Sequence, residues 1–366
     1  MYIKQLSLVN YKNFEQADLT FSTNLNCFIG DNGVGKTNLL DSIYYLSFCK
    51  SCFNSLEALN IRHGEEFFVL QGTYSRNDSE EAIYCGLKKG QKKQFKRNKK
   101  EYKKLAEHIG LLPLVMVSPS DINLILGGSD ERRRFMDGVI SQYDREYLEV
   151  LLKYNRTLLQ RNNLLKKMAE GMMRFDPMNL EVWDEQLIRF GTIIHEKRHQ
   201  FLKRLLPIFQ HYYQTISQGK EEVQLIYKSQ LNDEKFDSLL SLAIGKDRIV
   251  QHTSVGIHKD DLELTLGEYP IRKLGSQGQR KTYLVALKLA QYDFIRQVSG
   301  LKPILLLDDI FDKLDSNRVE QIVHLTASDN FGQIFITDTN REHLDQIIEE
   351  TGADHRIFQV ENGTVK

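Results

Sequence analysis

The stretch GDNGVGKT, residues 30–37, contains three glycines followed by a lysine and a threonine. Glycines at this spacing let backbone N–H groups point inward around phosphate oxygens. The apolar run LNCFIG leads into the stretch, and TNLLDSIYYLSF follows it with apolar residues at helical spacing. A strand, a glycine-rich loop and a helix in this order predict a phosphate-binding loop.

Each residue of this loop is a predicted nucleotide contact. Lys36 supplies a positive charge to the β- and γ-phosphates, so it is also a predicted catalytic residue, and the Thr37 hydroxyl is a predicted Mg²⁺ ligand. The predicted nucleotide-binding residues here are Gly30, Asp31, Asn32, Gly33, Val34, Gly35, Lys36 and Thr37.

Two acidic residues end a second apolar run, PILLLDDIFDKLD at residues 303–315. Carboxylates at the end of a buried strand are costly unless they face a cation or water. Asp308 is the predicted Mg²⁺ partner. Asp309 points the other way if the strand alternates, and it is the predicted catalytic residue that orients an attacking water. The alternative is an ordinary strand end with solvated acids.

A third segment, KLGSQGQRKTYLVALKLAQYDF, begins at Lys273 and predicts a helix that starts near Ser276 and Gly278. Small residues and a hydroxyl at a helix N-terminus form an anion site, so both residues are predicted nucleotide contacts. The alternative is a capping box between Ser276 and Gln279. Leu314 and Asp315 predict a further helix start.

The remaining pattern predicts an α/β fold with a helical insertion. Strand-like runs dominate residues 1–120, helical spacing dominates residues 121–244, and strands return within residues 245–366. We therefore expect an ATPase head built from residues 1–120 and 245–366, with residues 121–244 as a helical lobe.

The composition excludes several classes of protein. The chain has 366 residues, with 49 basic and 49 acidic side chains, which argues against a uniformly basic nucleic-acid coat. No apolar run approaches the ~18 residues that span a bilayer. The N-terminus lacks the apolar stretch of a signal peptide, and four cysteines suit a reducing compartment, so we expect a cytoplasmic protein without a membrane partner.

The order of these segments resembles the ABC-type ATPases. In that family the serine–glycine signature contacts the γ-phosphate held by a second subunit, so two heads close around two ATP molecules. The resemblance therefore implies an α/β, ABC-type P-loop ATPase head that forms an ATP-dependent homodimer, with ATP and Mg²⁺ as cofactors. Binding of ATP and dimerisation then favour each other by the same free energy.

Within that group, the whole chain resembles the RecF family of bacterial DNA replication and repair proteins. The arginine run Arg132–Arg134, the pair Arg161–Asn162 and the HKDD at His258–Asp261 are specific marks. The matching stretches are NYKNFEQADLTF, GDNGVGKTNLLDSIYYLS, SPSDINLILGGSDERRRFMDGVI, LLQRNNLLK, GIHKDDLELTL, GSQGQRKTYLVALKLA and LLLDDIFDKLD.

The resemblance implies DNA as a partner, either double-stranded or at gaps between single- and double-stranded DNA. It implies work with RecO and RecR to load RecA, and slow, DNA-stimulated ATP hydrolysis that acts as a switch. Two departures from the wider ABC pattern stand out. Asp309 replaces the usual glutamate, consistent with weak turnover, and FITDTN offers Thr337, Asp338 or Thr339 where a switch histidine is usual.

The run from Lys88 to Lys104 contains ten basic residues and one acidic residue. Such a run predicts contacts with DNA phosphates, and Lys92, Lys93, Lys96 and Arg97 are the predicted DNA-binding residues. The alternative is a solvated hairpin without a ligand. Arg132–Arg134 favour an internal ion-pair cluster. His258 is left unassigned, because the sequence is equally compatible with a place on the nucleotide or DNA face and with a structural histidine paired with Asp260 or Asp261.

Two other functions use part of the same pattern. One is an ATPase head that energises a transporter or another SMC-like complex, and the transport role requires a membrane-domain partner. A small-molecule kinase uses only the phosphate-binding loop, which leaves the signature segment and the paired acids unexplained.

Overall fold

The computed structural model describes residues 1–174, 176–219, 221–310, 316–327, 330–339, 345, 348–349, 352 and 354–366. The strands are β1 (Tyr2–Tyr11), β2 (Phe14–Thr20), β3 (Leu25–Ile29), β4 (Phe67–Arg76), β5 (Ser79–Lys88), β6 (Gln94–Arg97), β7 (Lys100–Glu101), β8 (Leu114–Val117), β9 (Val223–Lys228), β10 (Asp261–Leu266), β11 (Tyr269–Pro270), β12 (Ile304–Asp308), β13 (Ile334–Asp338), β14 (His355–Glu361) and β15 (Thr364–Val365). The α-helices are α1 (Lys36–Phe48), α2 (Asn123–Leu126), α3 (Ser129–Tyr143), α4 (Arg145–Ala169), α5 (Met178–Ser217), α6 (Phe236–Val250), α7 (Ile271–Leu274), α8 (Gln277–Ser299) and α9 (Ser316–Ala327). The predicted helix start at Leu314 and Asp315 lies outside the described residues.

The chain divides into two compact units. The first comprises Met1–Asp121, Tyr212–Gly219 and Gln277–Lys366, so both ends of the chain contribute to it. The second comprises Ile122–His211 and Lys220–Ser276. It includes residues 245–276, which the sequence pattern assigns to the head, because β10 in that stretch pairs along its whole length with β9.

A six-stranded sheet, in the order β15-β14-β3-β13-β12-β8, carries the phosphate-binding loop in the first unit. The five strands from β14 to β8 run parallel to their neighbours, and β15 is antiparallel. Every residue of β3, β12 and β13 is buried, which is typical of parallel strands covered on both faces. Their carboxyl ends therefore meet at one edge of the sheet.

The first unit also holds an antiparallel sheet in the order β2-β1-β4-β5-β6-β7. Residues Leu39, Leu40 and Ile43 of α1 are fully buried in the core that this sheet shares with the parallel one. The hairpin between β6 and β7 turns at Asn98 and Lys99, whose φ angles of 49° and 68° fit a two-residue turn of type I′.

The second unit is mostly helical and contains one three-stranded sheet in the order β11-β10-β9. The helical pattern that dominates the sequence of residues 121–244 is interrupted at Val223–Lys228, which forms β9. The segment VQLIYK buries alternate residues, and this period of two is the signal that the surrounding helical pattern masks.

Candidate functional site

The phosphate-binding loop has the predicted strand–loop–helix structure, with β3 ending at Ile29 and α1 beginning at Lys36. Gly33 and Gly35 adopt φ angles of 84° and 117°, in the left-handed region that favours glycine. A Cβ atom at Gly35 would lie 2.4 Å from the Asn13 side-chain nitrogen. Glycine is therefore required at this position both for backbone conformation and for space.

Asn13 braces the loop, and the sequence did not reveal it as a site residue. Its Nδ2 donates to the Val34 carbonyl at 2.8 Å, and its Oδ1 accepts from Asn38 Nδ2 at 2.7 Å. One side chain thus joins the loop to the first turns of α1. A lone asparagine between two strands carries no local signal of this role, because its partners lie more than twenty residues further on.

Lys36 lies inside the loop. Its Nζ donates to the carbonyls of Gly30 at 2.6 Å and Asp31 at 2.9 Å, and its exposed fraction is 8%. Burial lowers the pKa of Lys36, and the negative charges of Asp309 and Asp308 partly oppose that shift. The ammonium group is thus held within the loop by two backbone carbonyls.

Thr37 and Asp308 meet at the carboxyl edge of the sheet, although they are far apart in the chain. The Thr37 hydroxyl donates to Asp308 at 2.9 Å (Oδ1) and 3.0 Å (Oδ2). Thr337, which pairs with Asp308 in the β12–β13 ladder, donates from Oγ1 to Asp308 Oδ1 at 2.8 Å. Burial raises the pKa of Asp308, and these two hydrogen bonds oppose the shift because they favour the carboxylate.

This pair of oxygen donors fits Mg²⁺. Within the described parts of the chain, no group of three or more His, Cys, Asp or Glu side chains is placed to hold a metal ion. Mg²⁺ dehydrates reluctantly, and proteins usually bind it through one or two carboxylates together with waters and substrate phosphates. A hydroxyl and a single carboxylate beside a phosphate-binding loop form such a sparse ligand set.

Asp309 does not continue the strand, so the strand alternation behind its predicted direction does not apply to it. β12 ends at Asp308, and Asp309 has a φ angle of 49°, a conformation that costs a non-glycine residue about 1–3 kcal/mol. Its backbone N–H donates to Thr337 Oγ1 at 3.0 Å and to the Thr337 carbonyl at 3.3 Å. Its negative charge opposes the lowering of the Lys36 pKa by burial.

The signature residues lie at the start of α8. Ser276 is exposed and directly precedes the helix, and Gly278 lies in its first turn, half-buried. A Cβ atom at Gly278 would approach Arg318 Nη1 to 2.8 Å, so glycine leaves room for that guanidinium group. The predicted position at a helix start is confirmed.

The run from Lys88 to Lys104, here called the basic segment, separates into two kinds of side chain. Lys93 is only 10% exposed, donates to the Cys49 carbonyl at 2.6 Å and to Tyr45 at 3.0 Å, and pairs with Glu57. Arg97 forms a two-pronged pair with Glu81, and Lys96 lies over the Tyr84 ring at 5.3 Å. Of the predicted DNA contacts, Lys93 and Arg97 therefore already pair with carboxylates of the same unit.

The other basic side chains of this segment face solvent. They lie on β5, on the loop before β6, in the β6–β7 turn, on β7 and after it. The exposed residues are Lys88, Lys89, Lys92, Lys99, Lys100, Lys103 and Lys104.

The arginine run forms the internal ion pairs that the sequence favours. Arg132 donates to both carboxylate oxygens of Asp261, at 2.6 and 3.0 Å, and Arg134 pairs with Glu131 at 2.9 Å. Arg133 donates to the Asp260 carbonyl at 2.6 Å. The three charges are thus engaged within the second unit.

His258 contacts residues of its own unit, and they are neither of the two aspartates that the sequence offers as partners. Its Nδ1 accepts from the Tyr154 hydroxyl at 2.9 Å, and its Nε2 donates to the Thr253 carbonyl at 3.0 Å. Burial lowers its pKa to about 4, so the ring is neutral at pH 7. A histidine next to two aspartates in sequence allows an ion pair. In the structure Asp261 pairs with Arg132 and Asp260 pairs with Arg198 instead.

The second unit also contains a buried arginine at one of the distinctive sequence marks. Arg161 is fully buried and donates to Asp184 at 2.5 Å and to Asp247 at 2.7 Å. The neighbouring Asn162 accepts from both the backbone N–H and the hydroxyl of Thr253. These residues connect α4, α5 and α6, so their role in this chain is to hold the helical unit together.

Comparisons with known proteins agree on one family. The sequence model of the RecF/RecN/SMC N terminal domain matches residues 2–366. The DNA replication and repair protein RecF of Bacteroides thetaiotaomicron is 56% identical over 369 residues, which cover 100% of this chain and 98% of that protein. RecF of Porphyromonas gingivalis is 47% identical, with 100% of both chains covered.

Solved structures show the same relationship. A structure of the recombination mediator protein RecF with ATP, from the RecFOR pathway, has a TM-score of 0.89 and 32% identity, covering 100% of this chain and 97% of that chain. The Smc head domain of Pyrococcus furiosus has a TM-score of 0.59 at 17% identity, covering 100% and 95%, which supports a common fold. Within the described residues, no helix combines the length and apolarity that a membrane crossing requires.

Proposed function

Because this chain belongs to the RecF proteins of the RecF/RecN/SMC family, we propose that it is an ATP-binding protein of DNA replication and repair that acts in the RecFOR pathway. The proposal rests on one observation. Asp308 lies beside the phosphate-binding loop at the carboxyl edge of the sheet. Thr37, Asp308 and Thr337 are joined there by hydrogen bonds of 2.8 to 3.0 Å.

ATP binds to the loop through backbone N–H groups and Lys36. The glycine conformations at Gly33 and Gly35 support this placement, since they direct the backbone around an anion. Thr37 and Asp308 hold Mg²⁺. The chemistry supplied by a bound Mg²⁺ is neutralisation of charge on the β- and γ-phosphates.

Asp309 orients the water that attacks the γ-phosphate. Its negative charge opposes the lowering of the Lys36 pKa by burial, and its backbone follows directly on Asp308 at the strand end, which together support a role at the nucleotide. An aspartate is shorter than the glutamate usual at this place in ABC-type ATPases, so it reaches less far. Hydrolysis is therefore slow, is stimulated by DNA, and limits how long the ATP-bound state lasts.

Two copies associate when ATP is bound. Ser276 and Gly278 of one copy contact the γ-phosphate held by the loop of the other, which gives a dimer with two equivalent nucleotide sites. The exposed position of Ser276 before α8 supports this arrangement, because a helix N-terminus attracts anions.

The dimer binds double-stranded DNA and the borders of single-stranded gaps, with the basic segment as one contact surface. Its exposed lysines support this assignment, since lysines that neutralise phosphates release counterions from DNA. RecO and RecR are the partners with which it assists RecA loading. The relatives in the RecFOR pathway support this part of the proposal.

Nucleotide binding by a Lys36 variant tests the proposal. Lys36→Met removes the charge inside the loop while keeping a long apolar chain, so affinity for a fluorescent ATP analogue should be lost. Lys12→Met is a matched control, because Lys12 is also buried and carries the same charge but pairs with Asp41. Equal nucleotide affinity in wild type and Lys36→Met would contradict the proposed site.

A further inference from the structure

We propose that Thr337 is a positioning residue for ATP hydrolysis, because its hydroxyl joins the metal-binding carboxylate of Asp308 to the backbone amide of Asp309. It thereby sets the direction of the Asp309 carboxylate. The inference rests on the proposed function, since it takes Asp309 as the group that orients water. It assigns to Thr337 a role other than contact with the γ-phosphate.

The position of Thr337 is held rigidly by the sheet. β13 lies between β12 and β3, and Thr337 pairs with Asp308 on one side and Phe28 on the other. Its side chain is fully buried, so water does not compete for its hydroxyl. Because Thr337 is fixed by a parallel ladder on each side, its side chain can hold Asp308 and Asp309, at the end of the neighbouring strand, in defined positions.

The hydroxyl of Thr337 makes one hydrogen bond with Asp308 and one with Asp309. Its proton is donated to Asp308 Oδ1 at 2.8 Å, and its oxygen accepts from the Asp309 N–H at 3.0 Å. A hydroxyl has a single proton to donate. The Thr337 hydroxyl therefore has no second proton to donate to a phosphate oxygen. Its positioning role thus differs from that of a switch histidine, which contacts the γ-phosphate.

The backbone conformation of Asp309 requires stabilisation by neighbouring groups. Its φ angle of 49° is unfavourable for a residue with a side chain, and such conformations persist only where neighbouring groups enforce them. Both the side chain and the carbonyl of Thr337 accept from the Asp309 N–H. Loss of the hydroxyl removes the shorter of these two bonds, whereas Asp308 keeps its contact with Thr37.

This difference predicts a selective defect. Thr337→Val has nearly the shape of threonine but neither donates nor accepts, so Asp309 is free to relax. ATP should bind as in wild type, because Lys36 and Thr37 are unchanged. The turnover number should fall roughly 10- to 100-fold, the scale expected when a reacting group is displaced by about 1 Å.

Single-turnover ATP hydrolysis, with the Kd for ATP measured in parallel, tests the inference. Thr337→Ser keeps the hydroxyl and should restore the wild-type rate, while Thr337→Val lowers the rate at unchanged Kd. Thr337→Ala is measured beside it, as a smaller variant that lacks the same two bonds should the valine variant fold poorly. A wild-type rate in either the valine or the alanine variant would overturn the inference, as would a serine variant as slow as valine.

Asp309→Asn separates this inference from the proposed function. If Thr337 acts through Asp309, adding Thr337→Val to Asp309→Asn should slow hydrolysis no further. If the fold-decreases in rate of the two single variants multiply in the double variant, Thr337 does not act through Asp309. That result would overturn the role of Thr337 and leave that of Asp309 intact. An unchanged rate in Asp309→Asn alone would instead refute the proposed role of Asp309, and the inference about Thr337 would fall with it.

Discussion

Neutralising the exposed part of the basic segment should flatten the salt dependence of DNA binding. The variant Lys92→Gln, Lys99→Gln, Lys100→Gln removes three solvent-facing charges and leaves the internal pairs of Lys93 and Arg97 intact. Each lost phosphate contact reduces the slope of log K against log salt by about 0.9, so three contacts reduce it by about 2.7. Between 50 and 200 mM salt, wild type should then lose about 40-fold more affinity than the variant.

Fluorescence anisotropy with a labelled duplex, at several salt concentrations and saturating ATP, measures this slope. A matched control replaces Lys203, Lys235 and Lys246, three exposed lysines of the second unit, with glutamine. The control changes the net charge equally but leaves the basic segment unaltered. An unchanged slope in the first variant, or the same change in both, would refute the assignment of this segment as a DNA contact.

Two further predictions concern stability. His108 and His258 both have a pKa lowered by burial to about 4, and each ring accepts from a tyrosine and donates to a carbonyl. Because the unfolded chain binds their protons below pH 6.5, the free energy of unfolding should fall by about 1.4 kcal/mol per histidine between pH 7.5 and 5.5. Urea unfolding at both pH values measures this loss of stability. The loss should be smaller in the double variant His108→Gln, His258→Gln, and an equal loss in that variant would contradict the burial argument. Lys93→Met should lower the free energy of unfolding by about 1–3 kcal/mol, because the Glu57 carboxylate and the Cys49 carbonyl lose their donor. Lys92→Met, at an exposed neighbour, should have almost no effect, and equal stability of the two variants would argue against the internal pair.

The geometry of the candidate nucleotide site was predictable where local chemistry determines structure. Glycines that adopt left-handed angles, a lysine and a threonine at fixed spacing specify the loop, and an apolar strand that ends in acids specifies Asp308. Parallel strands bring their carboxyl ends together, so Thr37 and Asp308 meet as the motif order indicates.

Features that depend on distant partners were not predictable in the same way. Lys93 has the same local sequence environment as Lys92, and only the fold shows that Glu57 lies beside it. Asn13 and Thr337 act through residues on other strands or helices. Strand alternation does not apply to Asp309, because β12 ends at Asp308 and no local signal in the sequence marks that end.

We propose that ATP is bound between two copies of this chain, by the loop of one and by Ser276 of the other. Sedimentation velocity with ATP and Mg²⁺ tests it most directly, with ADP and the Ser276→Arg variant as comparisons. Wild type should sediment as a dimer with ATP and as a monomer with ADP, and Ser276→Arg should bind ATP yet remain a monomer. Wild type that stays monomeric while saturated with ATP would contradict the account.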